Sequence, residues 1–94
     1  SVLRRLNGDV KVVIVDISAV PLLDMTALAA LDNVLRDYRK QRVGLVLVGT
    51  SSRVRLKLRR AGILRENGHL AYVQNLEQAR AKALSWLEPA SVNG

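Results

Sequence analysis

The sequence predicts an α/β domain assembled from parallel βαβ units, and three observations carry that reading. Residues 12–15 and 43–49 ("VGLVLVG") are almost continuously apolar and rich in branched side chains, as strands buried inside a sheet are. The segments between and after them repeat apolar residues at spacings of three and four, the period of a helix lying on a sheet. Glycine, proline and short polar residues mark each change of period.

Taken in order, "VLRRLN" (residues 2–7) reads as one or two helical turns with Leu3 and Leu6 inward, the end of a helix. Val12, Val13, Ile14 and Val15 show no polar alternation, so they predict a strand covered on both faces, ended by Asp16. From Met25 to about Gln41, Leu28, Leu31, Leu35 and Tyr38 fall on one helical stripe that should face the sheet. Residues 43–49 follow as a second buried strand closed by Gly49. A helix between two such strands makes them parallel neighbours, with a right-handed crossover. Thr50, Ser51 and Ser52 can cap a next helix whose apolar face is Val54, Leu58 and Ala61 and whose stop is Gly62. "HLAYVQN" supplies a third, shorter strand around Leu70 to Val73. Asn75 with Gln78 resembles a capping box that opens a final helix, with Leu76, Ala79, Ala83, Leu84 and Leu87 on its inner side. Glu88 and Pro89 end that helix. Residues 1–88 therefore read as one domain and 89–94 as a flexible tail. Three strands make a thin sheet, so the expectation is an N-terminally truncated domain whose first strands precede residue 1.

Composition narrows the function. A chain of 94 residues buries about 60% of the surface its unfolded form exposes, so a surface function suits it better than a large internal cavity. There is no cysteine and one histidine, His69. A thiol nucleophile is absent, a metal site would need carboxylates from distant segments and is not expected, and no serine stands in a recognisable arrangement with that histidine. No "GxxxxGK[ST]" or "GxGxxG" run supports nucleotide binding, and no apolar run reaches the length of a membrane span. A non-enzymatic module is expected, without a cofactor. The formal charge of +7 favours acidic partners, and Arg53, Arg55, Lys57, Arg59, Arg60 and Arg65 crowd one short region whose only nearby acid is Glu66. Nucleic acid ranks below a protein partner, because Tyr38, Tyr72 and Trp86 stand at packing positions and offer no stacking platform.

The stretch "DISAVPLLDMTALAAL" (residues 16–31) holds the clearest candidate surface. Asp24 reads as an N-cap, and Thr26 in the following turn lies where free N–H groups and the helix dipole would tolerate a phosphate. Loops at the carboxyl ends of parallel strands are where open α/β sheets place their contacts, and Asp16 and Gly49 both lead into such loops. The candidate partner-binding residues are Ser18, Asp24, Met25 and Thr26, with Arg53, Arg55, Lys57, Arg59 and Arg60 on the basic helix.

"VVIVDISAVPLLDMTALAALDNVL" resembles the central motif of the STAS domain, the module shared by SulP anion transporters and bacterial anti-sigma factor antagonists. In that family a strand ends in Asp, a short turn follows, and a "D-[ST/A]-[ST]-G-L" element opens a helix. Asp16, Asp24, Thr26 and Leu28 stand in the matching places. "RVGLVLVGTSSRVRLKLRRAGI" is similar to the next strand, loop and helix, so the likeness spans most of residues 9 to 84. Two departures carry information: Ala27 replaces the usual Gly, and Met25 occupies a place that is Ser in many antagonists. Thr26 is then the sole hydroxyl acceptor left in the pair that an anti-sigma factor kinase would phosphorylate.

Within the family, "AVPLLD", "RRAGI" and "HLAYVQNLEQARAKAL" look closer to the C-terminal domain of a bacterial SulP transporter. That resemblance implies a regulatory domain below a permease for sulfate, bicarbonate or dicarboxylate, on the cytoplasmic side of the inner membrane. Its partners would be the transmembrane part of its own transporter and an acidic protein such as acyl carrier protein. Nucleotide binding is implied by resemblance alone. The alternative is a soluble anti-sigma factor antagonist switched at Thr26, and a third reading, from charge, is a basic nucleic-acid-binding module.

Overall fold

Strand β2 (Val43–Val48) is the axis of the molecule, and all six of its residues are buried. The computed structural model describes residues 11–20 and 23–87. The expected N-terminal helical turns, with Leu3 and Leu6, and the tail at 89–94 lie outside the described residues.

On either side of β2 run β1 (Lys11–Asp16) and β3 (Leu70–Val73), both parallel to it, giving the order β1-β2-β3. Val13 pairs with Leu45 and Leu45 with Leu70, so residues of one parity from all three strands share a face. This is the predicted α/β arrangement, a three-stranded parallel sheet with helices packed on it.

Helix α1 (Met25–Gln41) and helix α2 (Ser52–Arg60) share one core with the front face, where Leu28, Leu35, Val54, Leu58 and Ile63 meet Leu45, Leu47 and Leu70. Helix α3 (Leu76–Leu87) lies on the rear, with Ala79 in a core of Val46, Val48, Ala71 and Val73 and with Trp86 at its margin. Gly44 is required there, because a Cβ would lie 2.7 Å from the Trp86 ring and 2.8 Å from the Gly68 carbonyl oxygen.

Local chemistry sets the ends of each element. Asp24 caps α1, its carboxylate accepting from the Ala27 N–H at 2.8 Å, as its position predicted. Ser51 caps α2, accepting from the Val54 N–H at 3.2 Å. Asn75 accepts from the Gln78 N–H at 2.8 Å, but the Gln78 amide oxygen returns to the N–H of Gln74, one residue outside the predicted box. Helix α1 closes on Arg42 in the left-handed region (φ 61°), which returns the chain directly to β2.

Three expectations about burial need correcting. β1 is half covered, with Val12, Val13 and Ile14 partly buried and Val15 39% exposed. An unalternated apolar run permits burial on both faces, but β1 has a single ladder neighbour among the described residues and β2 has two. Ala61 is exposed because α2 ends at Arg60 and Ala61 is its cap, so Val54 and Leu58 alone form the inner face. On α3, Ala79 and Ala83 are buried, whereas Leu76 and Leu84 are 57% exposed and Leu87 is also exposed. The helix lays its small side chains on the branched residues of the sheet, which allows a close approach and turns the leucines outward.

Candidate functional site

The loops that follow β1 and β2 meet at the carboxyl end of the sheet. Asp16 accepts from both the N–H (2.8 Å) and the hydroxyl (2.6 Å) of Ser18, and these bonds hold its carboxyl below the usual carboxylate range. Ile17 donates to the Val48 carbonyl, and Gly49, at φ 80°, lies so close that a Cβ would sit 2.6 Å from that of Ser18. Ser18 therefore shapes the loop as well as presenting a hydroxyl.

From there the chain enters α1. Met25 at its first position is 80% exposed, and Thr26 is exposed in the same turn. Beside them lies a groove of about 690 Å³ between the start of α1 and the end of α2, walled by Leu23, Asp24, Met25, Leu28, Lys57 and Arg60. Lys57 donates to the Leu23 carbonyl at 3.1 Å and so ties the loop to α2. Apolar floor, exposed methionine and flanking charges of both signs are suited to a protein segment with one apolar side.

The basic helix divides into two sides. Lys57 and Arg60 belong to the groove with Asp24 and Met25, whereas Arg55 and Arg59 line a second cavity on the other flank of α2. Arg53 is exposed and lines neither, and neither do Ser18 and Thr26. Of the nine candidates, the structure thus joins Asp24, Met25, Lys57 and Arg60 in one surface and separates Arg55 and Arg59 from it. Glu66, the one acid near the cluster in sequence, is bound instead by both guanidinium nitrogens of Arg39, at 2.6 and 3.2 Å. That pairing lowers the Glu66 carboxyl pKa and raises that of Arg39.

Among the described residues no group of three or more His, Cys, Asp or Glu could hold a metal ion, and no helix is long and apolar enough to cross a membrane. Sequence reasoning missed Leu23 and Tyr72 as parts of the surface. Tyr72 was legible in principle, since it alternates with Leu70 onto the front of β3, but its neighbours come from elsewhere in the chain.

A strand ending in Asp16, the capped entry at Asp24, a parallel three-stranded sheet and a family model for the STAS domain that matches residues 1–83 agree with one another. The chain belongs to the STAS domain family. No curated protein matches it closely enough to count as a relative. The STAS element keeps Asp24 as a working cap, and in it Met25 and Thr26 form the outward edge of the first turn of α1.

Proposed function

We propose that this STAS domain is a non-enzymatic regulatory and interaction domain of a bacterial SulP-family anion transporter, held on the cytoplasmic side of the inner membrane. The observation that carries the reading is Met25. A partner-switching antagonist would use a hydroxyl pair at this turn, and here the first of the two positions is a thioether, 80% exposed and beside an apolar groove. Such a surface suits constant docking better than a phosphate switch. The groove balances Lys57 and Arg60 against Asp24 and Asp32, and it is the formal charge of +7 on the whole chain that favours an acidic partner, either the permease's own cytoplasmic face or an acidic protein such as acyl carrier protein. The anion carried would be sulfate, bicarbonate or a dicarboxylate.

Fractionation of native cells tests this directly, using an antibody against the domain and a high-pH wash of the membranes. Retention of the full-length product in washed membranes is the expected result. A small soluble product overturns it and leaves the antagonist reading, for which the exposed Thr26 is the acceptor to assay for phosphate. At the surface itself, Asp24→Ala or Lys57→Glu should weaken partner capture with the fold intact, and unchanged capture in both would remove the groove from the proposal.

A further inference from the structure

The amino-terminal end of the sheet, opposite the loops that lead to Met25, holds a cleft of about 360 Å³ where the end of α1, the starts of β2 and β3 and the end of α3 come together. Tyr38, Arg39, Arg42, Asn67, His69 and Trp86 line it, and no aspartate or glutamate does. Several of these groups are anchored in advance. The Trp86 indole N–H donates to the Asn67 side-chain oxygen at 3.0 Å, which leaves the amide nitrogen of Asn67 as a donor, and the indole ring is seated over Gly44. Arg39 is held by Glu66 through both terminal nitrogens, at 2.6 and 3.2 Å. Arg42 has a fixed backbone at φ 61°, its N–H donating to the Arg39 carbonyl at 3.3 Å and its own carbonyl accepting from the Lys11 N–H at 3.2 Å. Its guanidinium is not so engaged: among the described residues, Asp32 and Glu66 pair with Arg36 and Arg39, and no carboxylate pairs with Arg42. Burial and the Arg39 charge lower the His69 pKa, so at neutral pH the positive charge of the cleft comes from its arginines. Glu66 offsets one of them. What remains is the charge of a single guanidinium beside two aromatic rings, which suits a monoanion better than a dianion that would also meet the field of Glu66.

We infer that this cleft binds a small aromatic monocarboxylate, with the carboxylate on the Arg42 fork and the Asn67 amide and the ring against Tyr38 and Trp86. A planar guanidinium matches the two oxygens of a carboxylate, and the aromatic side chains accept a flat ring. At about 360 Å³ the cleft lies near the lower bound of ligand pockets, roughly 300–1,000 Å³, so one ring with a short acidic arm fills it. The site stands apart from the transporter reading, because none of its residues lines the Met25 groove.

The test is titration of the isotope-labelled 94-residue protein with phenylacetate, phenylacetamide, acetate and phenyl phosphate, followed by NMR at physiological salt. Trp86 is the only tryptophan, so its indole N–H gives a single signal at the cleft wall. Phenylacetate should shift that signal together with those of Arg42, Gly68 and His69, with a Kd of about 1 mM for a ligand of its size. Phenylacetamide, which keeps the ring and loses the charge, should bind about tenfold more weakly, and so should acetate, which loses the ring. Phenyl phosphate should bind no more tightly than phenylacetate. Arg42→Asn, which keeps a residue tolerant of the left-handed backbone, should erase the preference for phenylacetate over phenylacetamide. Lys40→Gln, which removes a neighbouring cation that does not line the cleft, should leave binding within about twofold. Equal binding of phenylacetate and phenylacetamide overturns the inference, because the arginine would then play no part, and so do equal losses in Arg42→Asn and Lys40→Gln, which would mean a diffuse positive surface. Tighter binding of phenyl phosphate, shifts gathered instead at Leu23, Met25 and Leu28, or no saturable shift up to about 20 mM overturns it as well.

Discussion

The two faces of the sheet are covered by different means. On the front, two helices and the Ile63 turn present leucines, isoleucine and valine to Leu45, Leu47 and Leu70, and they leave grooves along both flanks of α2. On the rear, one helix presents Ala79 and Ala83, and Trp86 fits over Gly44. Large residues on two separate helices cannot close every gap above three short strands, whereas small residues on one helix can sit close. The Met25 groove and the cavity of Arg55 and Arg59 both open on the front, where packing leaves space. On the rear the close seat is over Val46 and Val48, and toward Lys82 and Trp86 a space of about 360 Å³ remains. It follows that the front should fail when made smaller and the rear when made larger.

The largest effect is expected at Leu58, fully buried in the front core. Leu58→Ala should cost about 2–5 kcal/mol in urea unfolding, and a loss below about 1 kcal/mol would mean that the front collapses readily around the gap. Enlarging the rear comes next. Ala79→Leu and Gly44→Ala should each cost roughly 1–3 kcal/mol, and pairing Gly44→Ala with Trp86→Leu should restore only part, because the Gly68 carbonyl oxygen still stands 2.8 Å from the new Cβ. Full recovery would assign the whole strain to the ring. The front helices depend on their entries as well: Asp24→Ala and Ser51→Ala should cost about 1 kcal/mol each, read from shifts in the unfolding midpoint at constant slope.

The smallest effect is electrostatic. Burial and the neighbouring Arg39 charge lower the His69 pKa, while Glu66 opposes the shift in part. The folded protein therefore takes up its proton at a lower pH than the unfolded chain, and stability should fall as pH drops below the ordinary histidine value near 6.5. His69→Gln should flatten that limb of the curve. A second decline belongs to the carboxylate range. Asp16 and Glu66 have lowered pKa values in the folded state, so the stability they contribute is complete above their unfolded values and disappears as pH falls through the folded ones. If the histidine limb persists in His69→Gln, another group is responsible.

Much of the fold was legible because its cues are local. Asp24 and Ser51 cap helices within three residues of themselves, and the stripe from Leu28 to Tyr38 needs only the helical period. What escaped depends on partners distant in sequence. Val15 and Val46 belong to similar apolar runs, yet one is exposed and the other fully buried, because strand position in the sheet is not written in either run. On α3 the leucines outweighed the alanines in any reading by hydrophobicity, while the space over Val46 and Val48 decided for the alanines. The same limit applied to the candidate surface. Met25 and Thr26 lie beside Asp24 in sequence, but the division of the basic helix into two flanks needed Leu23 on one side and Tyr72 on the other. Arg39 bound to Glu66, 27 residues away, had no local signal at all.

Strand order equal to chain order has a consequence during synthesis. As the chain leaves the ribosome, β1, α1 and β2 can assemble and gain their front cover first. Their rear face, with Val12, Ile14, Val46 and Val48, waits for α3, which begins 28 residues after Val48. At about 5–20 residues per second that delay is roughly 1–6 s, during which an apolar face of a growing chain is open to chaperones and to neighbouring nascent chains.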